Sequence, residues 1–259
     1  MPYATSSTEP GLADQSRVWL VLTEATDPDG AWLTHGLQAR GLDPILHLTT
    51  DDLVEGATWA HTIGEDGAGF TVRLADGTTI RSEQVAGVVN RIGYITQAHA
   101  IDIVDSDRES VLHELNAFFM SWLTSVRAPI LNPPSARGLA GAWRPRSEWA
   151  YLAAQVGLHH MPVPSSDSGL EPLRLGAERE GLTAITVAGG IVDNGLGEEM
   201  RQAALGLADL AETPLLGIEF VMDGEGDLVL AGVTPQPSLQ AVGEAVIDAI
   251  GYALGAGAT

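Results

Sequence analysis

Short apolar runs alternate with amphipathic segments in the first part of the chain. The runs at 18–22 and 85–89 are continuous and rich in β-branched residues, and a shorter run follows at 44–48, a pattern typical of buried strands. Between the first and the 44–48 run, the Asp27-Pro-Asp-Gly30 turn precedes a helical pattern that Asp29 can cap. This order of strand, helix and strand predicts an open parallel sheet with a right-handed crossover.

The middle of the chain continues the alternation of elements. A hairpin is indicated within 69–81 by the Asp76-Gly77 turn, and a long apolar stripe predicts a helix over 106–125. A short strand at 130–132 ends at two prolines, and a second helix is predicted over 146–156.

The last third of the chain has the same mixed character. Its pattern predicts strands at 182–188, 191–192, 217–222 and 228–230, and helices over 198–210 and 240–254. The preceding stretch is rich in proline, serine, aspartate and glycine, which favours a boundary between lobes. We therefore predict an α/β protein with a disordered lead (1–16), an N-terminal lobe (17–160), a linker (161–181) and a C-terminal lobe (182–259).

Composition excludes several kinds of chemistry. The 34 acidic residues face 13 basic ones, all of them arginine, so the formal charge is -21, and there is neither lysine nor cysteine. Thiolate catalysis, cysteine-ligated metals, Schiff-base chemistry and a P-loop lysine are therefore impossible. The negative charge opposes binding to nucleic acid or to an anionic membrane. No apolar run has the length of a membrane span, and the first residues lack the features of a signal peptide, which predicts a cytoplasmic protein.

Three segments, taken in order, form a set of motifs that bears on the fold and the function. The first is the strand end Val88-Val-Asn-Arg-Ile92, followed by a helix that carries Glu114. The second extends from Asn132-Pro133 through the helix with Arg146 and Trp149 to Gly157-Leu158 and Pro162. The third extends from Leu216 through Glu219 and the Asp223-Gly-Glu-Gly226 turn to Pro235-x-Pro237. In this order the three segments resemble motifs of the ATP-grasp ligases, in particular those that close lactones and lactams in ribosomal peptides of the graspetide or microviridin type.

The departures from these motifs concern the nucleotide. In the family, a lysine begins the helix after the Asn-Pro strand, where this chain has Arg146, and a second lysine lies on a central strand that has no counterpart here. The carboxylate that holds magnesium in the family is replaced by Gly232, which offers no side-chain ligand. The resemblance thus implies an N-terminal pre-ATP-grasp lobe and a reduced C-terminal lobe, without the central nucleotide-binding subdomain.

The candidate site residues follow from the motifs and from the strand ends. Asn90, Arg91, Asn132 and Arg146 are the candidate substrate-binding residues, and no metal ligand is predicted. The alternative for Arg91 is a salt bridge to Glu114 or Asp102. Candidate acid/base residues, if any catalysis exists, are His113, Glu114 and Glu219. Trp143 and Trp149 either line a binding groove or pack a helix on the sheet.

Three functional hypotheses remain open at this point. The first is an ATP-grasp-like pseudo-ligase of a peptide or natural-product pathway, which needs no cofactor and binds a peptide, small molecule or partner enzyme of basic character. The alternative is an enzyme that uses the emptied cleft for another reaction, or a residual ATP- and magnesium-dependent ligase that joins a carboxylate to an amine or hydroxyl. A homodimer through the terminal helix is a third expectation.

Overall fold

The computed structural model describes residues 17–64, 67–100, 104–160, 181–192 and 195–255. Its strands are β1 (Val18–Thr23), β2 (Ile45–Thr49), β3 (Thr58–Gly64), β4 (Gly67–Arg73), β5 (Thr79–Arg81), β6 (Val85–Asn90), β7 (Ile130–Leu131), β8 (Gly181–Val187), β9 (Gly190–Val192), β10 (Leu215–Met222) and β11 (Leu228–Thr234). Its α-helices are α1 (Asp29–Ala39), α2 (Thr50–Val54), α3 (Asp105–Ser125), α4 (Arg146–Gln155), α5 (Glu198–Ala211), α6 (Leu239–Val242) and α7 (Glu244–Ala253).

A four-stranded parallel sheet forms the centre of the N-terminal part, in the order β2-β1-β6-β7. Every residue of β6 is buried, and β1 has one half-buried position, as expected for strands covered on both faces. In the register, Thr23 lies opposite Thr49, and Leu22 lies opposite Asn90. The carboxyl ends of these strands therefore meet at one edge of the sheet, where ligands of α/β proteins commonly bind.

A second, antiparallel sheet forms the C-terminal part, in the order β11-β10-β8-β9. One face packs against α4 and α5 through a cluster that includes Ile218 and Phe220 of β10. Ile185 and Leu215 belong instead to a cluster shared with β1, α1 and α7. This second cluster joins the two sheets into one body.

The three-stranded sheet β3-β4-β5 packs on α3 through aromatic rings. The Trp59 ring lies 4.7 Å from that of Trp122 and 5.1 Å from that of Phe118, in edge-on arrangements. Such edge-to-face pairs stabilise a cluster beyond the apolar area that they bury. The hairpin expected within 69–81 is thus part of a larger sheet, to which β3 adds a strand that the sequence pattern did not predict.

The predicted α/β class with a parallel sheet is confirmed, and two local predictions are corrected. Gly243, with φ of +89°, separates α6 from α7, so the terminal helix predicted over 240–254 is two helices. Pro28 stands at the N-cap of α1, and Asp29 is its buried first residue. The predicted lead and most of the predicted linker lie outside the described residues.

The terminal helix directs its apolar side chains into the molecule. Val246, Ile247 and Ile250 of α7 are buried in the cluster between the two sheets, and Tyr252 is 82% exposed. The apolar residues on which a homodimer was expected to form are therefore used within the chain itself. No helix in the described part of the chain is both long and apolar enough to cross a membrane.

Candidate functional site

Asn90 ends β6 at the carboxyl edge of the parallel sheet, and its side chain fixes the loop beyond β7. Its Nδ2 donates to the carbonyl oxygens of Asn132 (3.0 Å) and Leu139 (2.6 Å), and its Oδ1 accepts from the Ile92 amide (3.2 Å). The side chain is fully buried, and these three hydrogen bonds all join it to backbone groups. Asn90 therefore fixes the backbone around Asn132 and Leu139 at this edge of the sheet.

Asn132 joins the two lobes. Its Nδ2 donates to the carbonyls of Leu215 and Pro235, each at 2.8 Å, and its Oδ1 accepts from the Leu215 amide at 2.9 Å. Its φ is +59°, a left-handed conformation that asparagine tolerates better than most residues. Asn132 is fully buried, so its side chain supplies the hydrogen bonds that water would otherwise make to these backbone groups.

Arg91 is a buried ion-pair centre. Its Nε donates to Asp27 Oδ2 at 2.6 Å, and its Nη2 lies 3.2 Å from both Asp27 Oδ1 and Asp29 Oδ2. Its Nη1 donates to the Pro237 carbonyl at 2.9 Å, and Asp29 Oδ2 accepts in turn from the Leu239 amide at 2.8 Å. The guanidinium thus links the start of α1 to the chain after β11.

The ion-pair alternative for Arg91 therefore holds with different partners. Asp27 and Asp29 occupy the guanidinium, Glu114 does not contact it, and Asp102 lies outside the described residues. Only 4% of Arg91 is exposed. An external anion has little access to this cation.

A cavity of about 500 Å³ opens above this framework, between the lobes. Its wall contains one acidic side chain, one amide, two aromatic rings, a proline and small residues: Glu24, Gln236, Tyr94, Trp143, Pro235, Gly93, Gly138, Ala140 and Gly141. Glu24 directly follows β1, and Gln236 follows β11. The size lies within the usual range for small-ligand pockets.

The loop between β7 and α4 is held against the cavity by short contacts. The Leu139 amide donates to the Gly93 carbonyl at 3.0 Å, and the Tyr94 hydroxyl donates to the Arg137 carbonyl at 2.6 Å. Burial raises the pKa of the Tyr94 phenol. Gly141 allows the loop to turn, since its φ is +79°.

Glu24 and Gln236 come close to each other over Gly93. A β-carbon placed on Gly93 would lie 3.0 Å from Gln236 Nε2 and 3.4 Å from Glu24 Oε1. Gln236 Nε2 donates to the Arg91 carbonyl at 2.7 Å. Glycine at 93 therefore leaves room for these two side chains, one from each lobe.

Glu219 lies on β10 with Thr183 opposite it on β8 and Gly232 opposite it on β11. Its side chain is half-buried, and burial raises the pKa of its carboxyl above the usual range. It does not belong to the cavity wall. The structure thus places this acid/base candidate apart from the cavity.

The other candidates are distributed over two helices. His113 and Glu114 are exposed on α3, and neither lines the cavity. Arg146 is the first residue of α4, three positions after Trp143. The structure therefore brings Asn90, Arg91 and Asn132 together beneath the cavity, and it does not bring the three acid/base candidates together.

Few described residues bear on a magnesium–ATP site. No three histidine, aspartate or glutamate side chains in the described ranges converge as a metal-ligand group. Glu219 has Gly232 beside it in place of a second carboxylate. A nucleoside triphosphate needs a bridging metal ion and cationic side chains around its phosphates. The guanidinium of Arg91 is already paired with Asp27 and Asp29.

Sequence reasoning missed the residues that line the cavity, apart from Trp143. Trp149 lies on the buried face of α4, where it packs in the core against the C-terminal sheet, whereas Trp143 lines the cavity. Glu24 carried a readable signal, because it directly follows a predicted buried strand at the ligand-binding edge. Gln236 and Tyr94 lie in irregular segments and carried none.

Comparison of the structure with solved structures identifies the fold. A RiPP-associated ATP-grasp ligase from Chryseobacterium gregarium, in complex with ADP and a leader and core peptide, superposes with a TM-score of 0.69 at 11% identity, covering 92% of this chain and 96% of that one. The macrocyclase MdnC of Microcystis aeruginosa, bound with the precursor peptide MdnA, gives 0.70 at 12% identity, with coverages of 90% and 98%. The macrocyclase MdnB of the same organism gives 0.61 at 17% identity, with coverages of 92% and 98%.

The chain has an ATP-grasp-like fold. The resemblance noted in the sequence motifs is confirmed at this level, and so is the reduced α/β architecture. No family model matches the sequence, and no curated protein matches it either. At these identities the ATP-grasp likeness establishes the architecture, and the chemistry depends on the residues of this chain.

Proposed function

We propose that this ATP-grasp-like protein binds a peptide in the cavity between its lobes, has no ATP-dependent ligase activity, and serves as an accessory protein of a peptide-modifying pathway. The observation that carries the proposal is the cavity wall. It combines an acidic side chain, an amide, two aromatic rings and backbone contributed by glycines, and no cationic side chain lines it in the described structure.

The wall is unsuited to phosphate. Catalysis of phosphoryl transfer depends on positive groups that offset the charge developing on the transferred group. Here the nearest buried cation, Arg91, is neutralised by Asp27 and Asp29, and Glu24 places a negative charge in the cavity. A polyphosphate would meet repulsion at this position.

The wall suits a peptide. Aromatic rings, an amide and backbone groups are the usual components of peptide-binding surfaces, because they combine apolar area with hydrogen bonds. The similar ligases have been crystallised with precursor, leader or core peptides. A formal charge of -21 also favours the approach of a basic partner through long-range steering.

Calorimetric titration with ATP and magnesium tests the first half of the proposal. We expect no saturable heat up to about 1 mM nucleotide, the range of weak binding. Magnesium-dependent binding in the micromolar range, abolished in Arg146→Ala or Glu219→Gln, would refute the absence of ligase chemistry.

Peptide binding tests the second half. The probe is a short peptide of glycine, serine and arginine. Its binding is measured by tryptophan fluorescence and by calorimetry. We expect Tyr94→Ala to weaken binding severalfold, because Tyr94 lines the cavity, and Tyr151→Ala to leave it unchanged, because Tyr151 is 67% exposed on α4 outside the cavity. Equal effects of the two substitutions would contradict binding in the cavity.

A further inference from the structure

We propose that the cavity recognises a cationic side chain, arginine or lysine, with Glu24 as the counter-ion and Tyr94 and Trp143 as the aromatic wall. The inference rests on the proposed function, since it names the part of a bound peptide that enters the cavity. It commits to a peptide side chain as the occupant.

The charge of the cavity comes from Glu24. It is the one acidic side chain of the wall, it is half-buried, and in the described ranges it makes neither an ion pair nor a side-chain hydrogen bond. A half-buried carboxylate without a counter-ion favours a ligand that carries a positive charge, because partial burial reduces its hydration.

The side-chain amide of Gln236 lies on the same side of Gly93 as this carboxylate. Gln236 donates through Nε2 to the Arg91 carbonyl, and its Oε1 accepts no hydrogen bond from any described residue. Because Gly93 has both Gln236 Nε2 and Glu24 Oε1 within 3.4 Å of its missing β-carbon, the two side chains lie on the same side of that residue. An ammonium or guanidinium group presents several donors and can use both acceptors.

The aromatic residues add a favourable surface for the same charge. Cations over the faces of tryptophan and tyrosine gain electrostatic attraction, most strongly for tryptophan. The chain already makes one such pair next to the cavity, where the Arg144 guanidinium lies 5.4 Å from the ring centroid of Trp149. Trp143 and Tyr94 offer two further rings on the cavity wall.

The two arginines of the loop between β7 and α4 do not fill this role. Arg144 pairs with Glu148 at 3.0 Å, and Arg137 also pairs with Glu148. Neither arginine lines the cavity. No arginine lines the cavity in the described part of the chain, so the proposal assigns the positive group that complements Glu24 to a bound partner.

The experiment compares two probes of nearly the same shape, one cationic and one neutral: acetyl-Gly-Arg-Gly amide and the same peptide with citrulline, in which a carbonyl oxygen replaces one guanidinium nitrogen. Binding is measured by tryptophan fluorescence and by NMR line positions of the protein. We expect the arginine peptide to bind about fivefold or more tightly than the citrulline peptide, from one partly exposed ion pair with an aromatic contact. Glu24→Gln should remove this difference.

Glu83→Gln is the matched control. Glu83 lines a different cavity near the start of β6, at the opposite end of the parallel sheet, so this variant removes the same charge without touching the site. Equal binding of both probes, or equal effects of the two glutamate substitutions, would overturn the cation pocket while leaving peptide binding intact. Failure of the glycine–serine–arginine peptide to bind would instead overturn the proposed function.

Discussion

Replacing Asn132 with alanine should weaken the connection between the lobes more than any comparable loss within one lobe. The substitution removes the side-chain partners of the Leu215 amide, the Leu215 carbonyl and the Pro235 carbonyl. It also places alanine at φ of +59°, a left-handed conformation that asparagine tolerates better.

The magnitude follows from these contacts. Three buried hydrogen bonds contribute about 1 kcal/mol each, and the left-handed conformation costs alanine about 1 kcal/mol. The expected loss is therefore about 4 kcal/mol, a large fraction of the roughly 5–15 kcal/mol that stabilises a typical domain. In urea unfolding followed by circular dichroism, the midpoint should fall by about 1 M or more.

Two variants separate the causes. Asn116→Ala is the matched control, because Asn116 also makes three hydrogen bonds to backbone, with Ile95 and Leu112, but it lies in α3 and joins parts of one lobe. Its loss should be smaller, because the site is only partly buried and alanine favours a helix. Asn132→Gly should recover about 1 kcal/mol relative to alanine, since glycine adopts positive φ freely. Equal losses for Asn132→Ala and Asn116→Ala, with no recovery in Asn132→Gly, would refute the reasoning.

Three further substitutions test the framework around the cavity. Arg91→Ala leaves the buried Asp29 and the partly buried Asp27 without their cation. It should cost about 3–5 kcal/mol in thermal or urea unfolding, whereas an unchanged midpoint would show that the ion pairs contribute nothing. Glu219→Gln should stabilise the protein at pH 7 and have no effect below about pH 4. Burial raises the pKa of the Glu219 carboxyl in the folded state, so the wild-type protein loses stability as the pH rises through the unfolded-state pKa and then the folded-state pKa. A stability gain of the variant that persists in acid would contradict this direction. Gly217→Ala would put a β-carbon 2.6 Å from the Pro237 β-carbon and should cost about 1–3 kcal/mol, while Gly224→Ala, with open space around it, should cost little; equal losses would argue against this contact.

The sequence predicted the parallel sheet well because its signals are local. β1 and β6 are short runs of apolar residues bounded by turns, and burial on both faces leaves no alternation to confuse the pattern. β3 was missed for the opposite reason: its pattern alternates between exposed and half-buried positions and includes His61. Its place depends on the aromatic rings of α3, which no local pattern shows.

The site was less predictable, because its contacts join distant segments. Asp27 is 64 residues from Arg91, and the sequence around it shows only a turn. Gln236 is 145 residues from the carbonyl to which it donates. The rule that ligands bind at the carboxyl ends of parallel strands found Asn90 and Arg91, and it would equally have found Glu24.

The motif residues of the ATP-grasp resemblance have a physical reason to be present even without a nucleotide. Asn90, Arg91 and Asn132 all hydrogen-bond to backbone groups. Arg91 donates to the Pro237 carbonyl after β11, and Asn132 donates to the carbonyls of Leu215 and Pro235. Removing any of them would leave buried polar groups unpaired, a cost that the fold bears whatever the cavity binds. These residues therefore report the architecture. The chemistry of the cavity must instead be inferred from Glu24, whose side chain makes no hydrogen bond in the described structure, and from the rings of Trp143 and Tyr94, although the Tyr94 hydroxyl also donates to the Arg137 carbonyl.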